Sequence, residues 1–328
     1  MKAGWFNAFG AAKDVIELGA QPKPVAGSGE VLVRLYASGV NPSDVKKRAG
    51  AFPNLLDGGL VIPHSDGAGI IEAVGEGVSV DRIGERVWVY QAQYGRRLGT
   101  AAEYVALDAS RAAKLPDNTS FEIGACLGIP AMTAHRCVFA DGEVSGQKIL
   151  ITGGAGRVGY YAIQWAASAG AFVIASASND SDRLLCLELG AHAVVNHRET
   201  NWGEQVVTAA GGEKVDRVVD VEFGSNLPQV LNCIRTGGTI ATYSSAAVPQ
   251  PVLPFKEMMF MDLTIRMVIV YAMPEKAKEA AISDIYARLE SDQLKHRVAH
   301  VLPFDHLARS HELIEDGGFG GCVVVSID

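Results

Sequence analysis

The chain has 328 residues, 48% of them hydrophobic and 20% charged, and a formal net charge of −8. That length exceeds one typical core and predicts two domains. The acidic balance argues against a nucleic-acid backbone as the main partner, and no apolar run approaches the roughly 20 residues that cross a bilayer.

The amino terminus, Met1-Lys2-Ala3-Gly4-Trp5, lacks the apolar core of a secretory signal, so a soluble, cytoplasmic protein is expected. Residues 30–37 alternate apolar and polar like a half-buried strand, and residues 67–75, 85–90 and 101–107 read as further short strands. Gly, Pro and Asp punctuate them, which predicts a compact β-rich, barrel-like domain. From Ser120 the period lengthens to that of helices, at 120–127 and again at 131–139. The five cysteines are scattered, with none at C-x-x-C spacing, and read as small buried hydrophobes in a reducing compartment.

Strand residues 148–151 then run into Gly154-x-Gly156-x-x-Gly159, followed by an apolar helix pattern through Tyr161, Trp165 and Ala169. Such glycines serve a tight turn, a close backbone approach to a pyrophosphate, and helix-on-strand packing. The candidate phosphate cradle is therefore Gly154, Ala155, Gly156, Arg157, Val158 and Gly159, at the positive end of the helix. Strands at 171–176, 193–196, 215–221 and 238–243 alternate with helices, which predicts a doubly wound parallel sheet of Rossmann type. Where an NAD-preferring domain places an acid, residues 175–179 read Ala-Ser-Ala-Ser-Asn. Ser176 and Ser178 leave room for a 2′-phosphate, with cationic help from Arg183 and His197, so NADPH is the expected cofactor. A β-rich stretch at 263–271 follows, then a long helix through 289, a helical segment at 303–316 and a last strand at 322–325. His296, His300, His306 and His311 sit on what reads as solvated surface rather than at a metal.

The chain resembles the medium-chain dehydrogenase/reductase superfamily and, within it, the zinc-free quinone oxidoreductases related to zeta-crystallin. The likeness rests on Gly39-Val40-Asn41-Pro42-Ser43-Asp44, Ser65-Asp66-Gly67-Ala68-Gly69, Gly84-Glu85-Arg86-Val87, Ala102-Glu103-Tyr104-Val105, Thr133-Ala134, the glycine loop and Leu189-Gly190-Ala191. It implies an α/β protein with a GroES-like catalytic domain at 1–122 and 267–328, and a Rossmann domain at 123–266. Zinc-dependent members carry a cysteine where Asn41 stands and a histidine where Ser65 stands. The resemblance therefore implies no metal, with Asp66 left as a lone carboxylate and His64 as a loop or core residue. Without zinc to polarise an isolated carbonyl, a conjugated acceptor fits best.

NADPH-dependent quinone reduction is the favoured activity. Reduction of enones or enoyl thioesters and a non-catalytic, crystallin-like NADPH-binding role are the alternatives. The resemblance places Asn41 beside nicotinamide and substrate, Thr133 near the ring, and Val221, Tyr243, Ser244, Ser245, Val270 and Tyr271 along the cofactor. Lys46 stands where relatives carry a substrate-facing tyrosine; it would polarise the acceptor or, within the charge run Lys46-Lys47-Arg48, simply be solvated. A homodimer paired through the 263–271 strand is also implied.

Overall fold

In the computed structural model, which describes residues 1–327, the chain forms two compact units. One comprises Met1–Ile129 with the chain from Ile282 onward, the other Pro130–Ala281. The sequence had suggested limits at 122/123 and 266/267.

The first unit opens with β1 (Lys2–Trp5), helix α1 (Ala12–Val15), β2 (Glu17–Ala20) and the long strand β3 (Glu30–Val40). Helix α2 (Pro42–Arg48) follows at once, then β4 (Asp66–Val74), β5 (Arg86–Val89), β6 (Tyr104–Asp108), β7 (Ala112–Lys114) and the single turn α3 (Phe121–Gly124). A π-helical turn at Leu127–Ala131 leads out of this unit and into α4 (Met132–Phe139), where the sequence suggested an ordinary helix from Ala131.

The second unit alternates β8 (Lys148–Ile151), α5 (Arg157–Ser168), β9 (Phe172–Ser176), α6 (Asp180–Glu188), β10 (Ala193–Val195), α7 (Trp202–Ala209), β11 (Val215–Asp220), α8 (Phe223–Cys233) and β12 (Ile234–Thr242). It closes with α9 (Phe255–Phe260), β13 (Thr264–Met267) and a 3₁₀ turn at Val270–Ala272. The stretch expected as one strand over 263–271 is thus shorter, and Val270 and Tyr271 lie in the turn beyond it. Helix α10 (Glu275–Glu290), β14 (Val298–Pro303), α11 (Leu307–Asp316) and β15 (Cys322–Ser326) complete the chain.

In the first unit the strands pair in the order β14-β15-β3-β4-β5-β7, with β6 also on β3. Only β14 and β15 run parallel. Val31, Val33 and Leu35 of β3 point into the core with Ile71, Val87, Val89, Val105 and Leu107. Each such burial contributes about 1.5–3 kcal/mol, which fixes the register of the whole strand. The end of β3 therefore delivers Asn41 and α2 to one place.

The second unit holds six parallel strands in the order β10-β9-β8-β11-β12-β13. Counted from β8, that is the 3-2-1-4-5-6 order of a Rossmann sheet, reversing between β8 and β11. Strands buried on both faces read as the apolar runs Lys148-Ile-Leu-Ile and Phe172-Val-Ile-Ala that the sequence shows. No helix of the described residues is long and apolar enough to cross a membrane.

Candidate functional site

All the strands of the second unit point their carboxyl ends the same way, so the residues that follow them share one rim. Following β8 come Gly153 to Gly156; at the end of β9 stand Ser176 and Ser178. Val221 follows β11, Tyr243, Ser244 and Ser245 follow β12, and Val270 and Tyr271 follow β13. Thr133 is buried on α4, which packs against the Val270–Ala272 turn. The topology thus gathers onto one unit nearly every cofactor residue expected from the sequence.

Within the loop the glycines divide their work differently from the expected pattern. The left-handed residue is Gly153, at φ 61°, one position before the motif. Gly159 packs α5 onto the turn, since an added Cβ would lie 2.3 Å from the Gly153 carbonyl oxygen. At Gly156, the N-cap of α5, a Cβ would meet only that same oxygen, at 3.0 Å. Gly156 therefore leaves the head of the helix open. Ala155 is buried, while Arg157 and Val158, the first two residues of α5, are partly exposed.

Ser176 sits beneath this turn rather than beside it. It is 1% exposed, and its Oγ accepts from Gly153 N–H at 3.0 Å while its carbonyl accepts from Gly154 N–H at 2.9 Å. Asp220, which sequence reasoning passed over, braces the other side. Its Oδ1 accepts from Thr152 Oγ1 at 2.7 Å and Asn226 Nδ2 at 2.8 Å, and Thr152 Oγ1 accepts from Val221 N–H at 2.9 Å. Burial raises the Asp220 carboxyl above the usual range. Its place as the last residue of β11, where the chain leaves the sheet at the cofactor rim, was the available signal.

The other expected residues vary in how far their groups are engaged. Ser245 Oγ accepts from Gly224 N–H at 3.0 Å and donates to Val248 O, and the Ser244 carbonyl accepts from Phe223 N–H at 2.9 Å. Ser178 is partly exposed, and Arg183 and His197 are exposed. Arg183 Nε lies 3.4 Å from Asp180 Oδ1, and Asn179 Nδ2 donates to Asp182 Oδ2 at 2.8 Å.

In the first unit, Asn41 is the N-cap of α2 and is 4% exposed. Asp44 Oδ2 reaches back to accept from its backbone N–H at 2.9 Å, and Asn41 Nδ2 donates to Asp66 Oδ2 at 2.9 Å. Asp66 Oδ2 also accepts from Ile129 N–H at 2.7 Å. Lys46 is exposed, but its neighbours are not, which corrects the reading of Lys46-Lys47-Arg48 as one solvated run. Lys47 is 7% exposed and donates to Gln93 Oε1 at 3.0 Å and Ser65 Oγ at 3.4 Å. Arg48 is fully buried and donates to Gly10 O and Glu315 Oε1.

Burial governs this cluster's electrostatics. It pushes the Asp66 carboxyl up to about 8, opposed by Ile129 N–H, the Asn41 carboxamide and Lys47. Asp44 rises to about 6 for the same reason, opposed by Lys47, and the Lys47 ammonium is itself lowered by burial.

His64 lies beside this cluster with left-handed backbone, at φ 76°. Its Nδ1 is 2.8 Å from Ser38 Oγ, and its Nε2 is 3.0 Å from Nε2 of His311 on α11. His311 is therefore a core residue, not a solvated one. Desolvation lowers His64 to about 3 and His311 well below the usual range, so both imidazoles are neutral. Among the described residues, no group of three His, Cys, Asp or Glu side chains is placed to hold a metal ion.

Comparison with known proteins matches the alcohol dehydrogenase GroES-like domain over residues 27–117 and the zinc-binding dehydrogenase domain over residues 158–285. The quinone oxidoreductase of Mus musculus is 31% identical over 300 residues, covering 90% of this chain and 88% of that protein. A mycobacterial protein solved with NADPH superposes with a TM-score of 0.88 at 26% identity, and an NAD-dependent alcohol dehydrogenase with 0.87 at 28%. Both structural alignments cover 100% of each chain. The glycine-loop sheet, the mixed β-sheet and these likenesses agree, and the chain belongs to the quinone oxidoreductase family of the medium-chain dehydrogenases/reductases.

Proposed function

We propose that this enzyme reduces quinones with NADPH, without zinc, and as a homodimer. One observation carries the nucleotide reading: the head of α5 is open above Gly156, where a Cβ would meet only a carbonyl oxygen at 3.0 Å. Backbone N–H groups of a helix's first turn, together with its dipole, favour a pyrophosphate there. A dinucleotide whose pyrophosphate is held there would supply the hydride, from C4 of its reduced nicotinamide.

The chain's own residues bind and orient. Gly154, Ala155, Gly156, Arg157, Val158 and Gly159 form the cradle, and Ser176 holds its turn from below. Val221, Tyr243, Ser244, Ser245, Val270, Tyr271 and Thr133 are proposed along the dinucleotide. Ser178, Arg183 and His197 are proposed at the 2′-phosphate, where no carboxylate ends β9 to hold a ribose diol. Asn41 is the residue of the GroES-like unit proposed to meet the reacting groups. Exposed Lys46 is the second candidate, through an ammonium that would polarise an acceptor oxygen.

Zinc independence rests on the chemistry of the donor set. At the cluster stand a carboxamide (Asn41), a hydroxyl (Ser65) and the Asp66 carboxylate, with the Lys47 ammonium donating to Ser65 Oγ. Tetrahedral zinc takes Cys, His and carboxylate donors, and an ammonium at this place repels a cation. A quinone needs no Lewis acid, because arriving charge spreads over its π system. For the dimer, β13 is a sheet edge with Met267 72% exposed, and Ile269 just beyond the strand is 56% exposed.

The deciding experiment is steady-state NADPH oxidation against a panel of quinones, enals and enoyl thioesters, with metal analysis of the same preparation. Quinones should give the highest kcat/KM, with no stoichiometric zinc and no loss on chelation. Turnover confined to enals or thioesters, or one tightly held zinc whose removal abolishes activity, would overturn the proposal.

A further inference from the structure

The polar cluster around α2 contains a lysine whose only part in the proposed chemistry is to disfavour a metal cation. Lys47 lies one residue from exposed Lys46, yet is 93% withdrawn from solvent, being only 7% exposed. Its Nζ is fixed by Gln93 Oε1 at 3.0 Å and Ser65 Oγ at 3.4 Å. Two fully buried carboxylates stand within its field, Asp44 on its own helix and Asp66 on β4. Each holds one part of Asn41: Asp44 its backbone N–H, Asp66 its carboxamide. Each also leaves its Oδ1 buried without a hydrogen-bond partner.

We propose that Lys47 is a positioning residue for Asn41, its buried ammonium supplying the countercharge that lets Asp44 and Asp66 grip the backbone and carboxamide of Asn41 together. Without that countercharge burial favours the protonated acids, and a neutral carboxyl grips Asn41 without the charge assistance of a carboxylate. The carboxamide of Asn41 would then lose the partner that fixes which of its ends faces Asp66. Other charged groups near Lys47 do not substitute for it. His64, before β4, is neutral, and Arg48 turns to Glu315 on α11, the helix that also carries His311. The catalytic consequence rests on the role proposed above for Asn41; the structural consequence does not.

The test compares the full-length native protein with Lys47→Met and Lys47→Met/Asp66→Asn. In the double variant Asp66, one of the two carboxyls left without a countercharge, becomes an amide whose oxygen still accepts from Asn41. Lys47→Met should lower kcat roughly 10²-fold, the scale for a displaced reacting group, with NADPH affinity within about two-fold of native. The two Nδ2 protons of Asn41, followed by nitrogen-edited NMR, should collapse toward the shifts of a solvated amide. The double variant should regain the separation of those protons and most of the lost kcat.

Unmoved Asn41 resonances in Lys47→Met, or no regain in the double variant, would overturn the inference. Should Lys47→Met fail to fold, a folded double variant with native-like Asn41 protons supports the proposal, and an unfolded one refutes it. The resonances need no turnover. They move as described even where quinone reduction itself proves to be the wrong reaction, so the two failures can be told apart.

Discussion

Gly156 and Gly159 belong to one motif, yet alanine at each should fail in a different way. At Gly159 the new Cβ would lie 2.3 Å from the Gly153 carbonyl oxygen and 2.9 Å from Gly154 Cα, both backbone atoms with no rotamer to give way. Overpacking of this kind costs about 3 kcal/mol, and the better helix propensity of alanine returns about 1 kcal/mol. The net of about 2 kcal/mol should lower the Tm by roughly 4–8 °C for a domain of this size. At Gly156 the backbone, φ −74° and ψ 173°, suits any residue, and the single 3.0 Å contact asks for a shift of a few tenths of an ångström. Stability should stay within about 0.5 kcal/mol of native. The methyl group, however, stands where the pyrophosphate approaches. Losing one charge-assisted bond to backbone N–H costs about 1.5–3 kcal/mol, so the Kd for NADPH should rise roughly 10- to 100-fold. Thermal unfolding without nucleotide and a tryptophan-fluorescence titration with NADPH measure the two effects separately. Native affinity in Gly156→Ala, or equal Tm losses in both variants, would refute the division of roles.

Three further outcomes are expected. The kcat/KM for NADPH should exceed that for NADH, and Arg183→Ala should reduce only the former; equal use of both cofactors in native protein and variant would count against the 2′-phosphate assignment. For the histidine pair, the folded value of about 3 for His64 lies below the unfolded 6.5, so the unfolded chain binds more protons between those limits and stability falls as the pH drops through them. His64→Gln should flatten that fall by at most roughly 1.4 kcal/mol per pH unit, read from urea unfolding between pH 4 and 7, and an unchanged slope would show that His64 is not held neutral. Finally, native protein should scatter light as a dimer at micromolar concentration and Met267→Lys, on the edge strand, as a monomer; a monomeric native protein would end the dimer proposal.

The glycine loop and the alternation of strand and helix around it were legible because both are local. A parallel strand buried on both faces must be apolar along its length, and a phosphate turn must lack side chains, so short windows such as 148–159 carry the message unaided. The resemblance alone singled out Asn41, and the fold sets it as the N-cap of α2 before Pro42. Other features depended on what the chain brings from far away. Lys46 and Lys47 are indistinguishable as letters, but a helix advances about 100° per residue, and only the packed sheet decides which of them faces Gln93 and Ser65. His311 reads as surface until α11 sets it against His64, 247 positions earlier in the chain. Ser176 looked like a ligand for phosphate because nothing local reveals that Gly153 N–H lies within 3.0 Å of its Oγ. The strand expected over 263–271 stops at Met267 because its pairing with β12 stops at Thr242, and pairing is a property of two segments. Periodicity fixes which residues leave water, but the partners of a buried charge are fixed by the register and packing of segments that only the folded chain brings together.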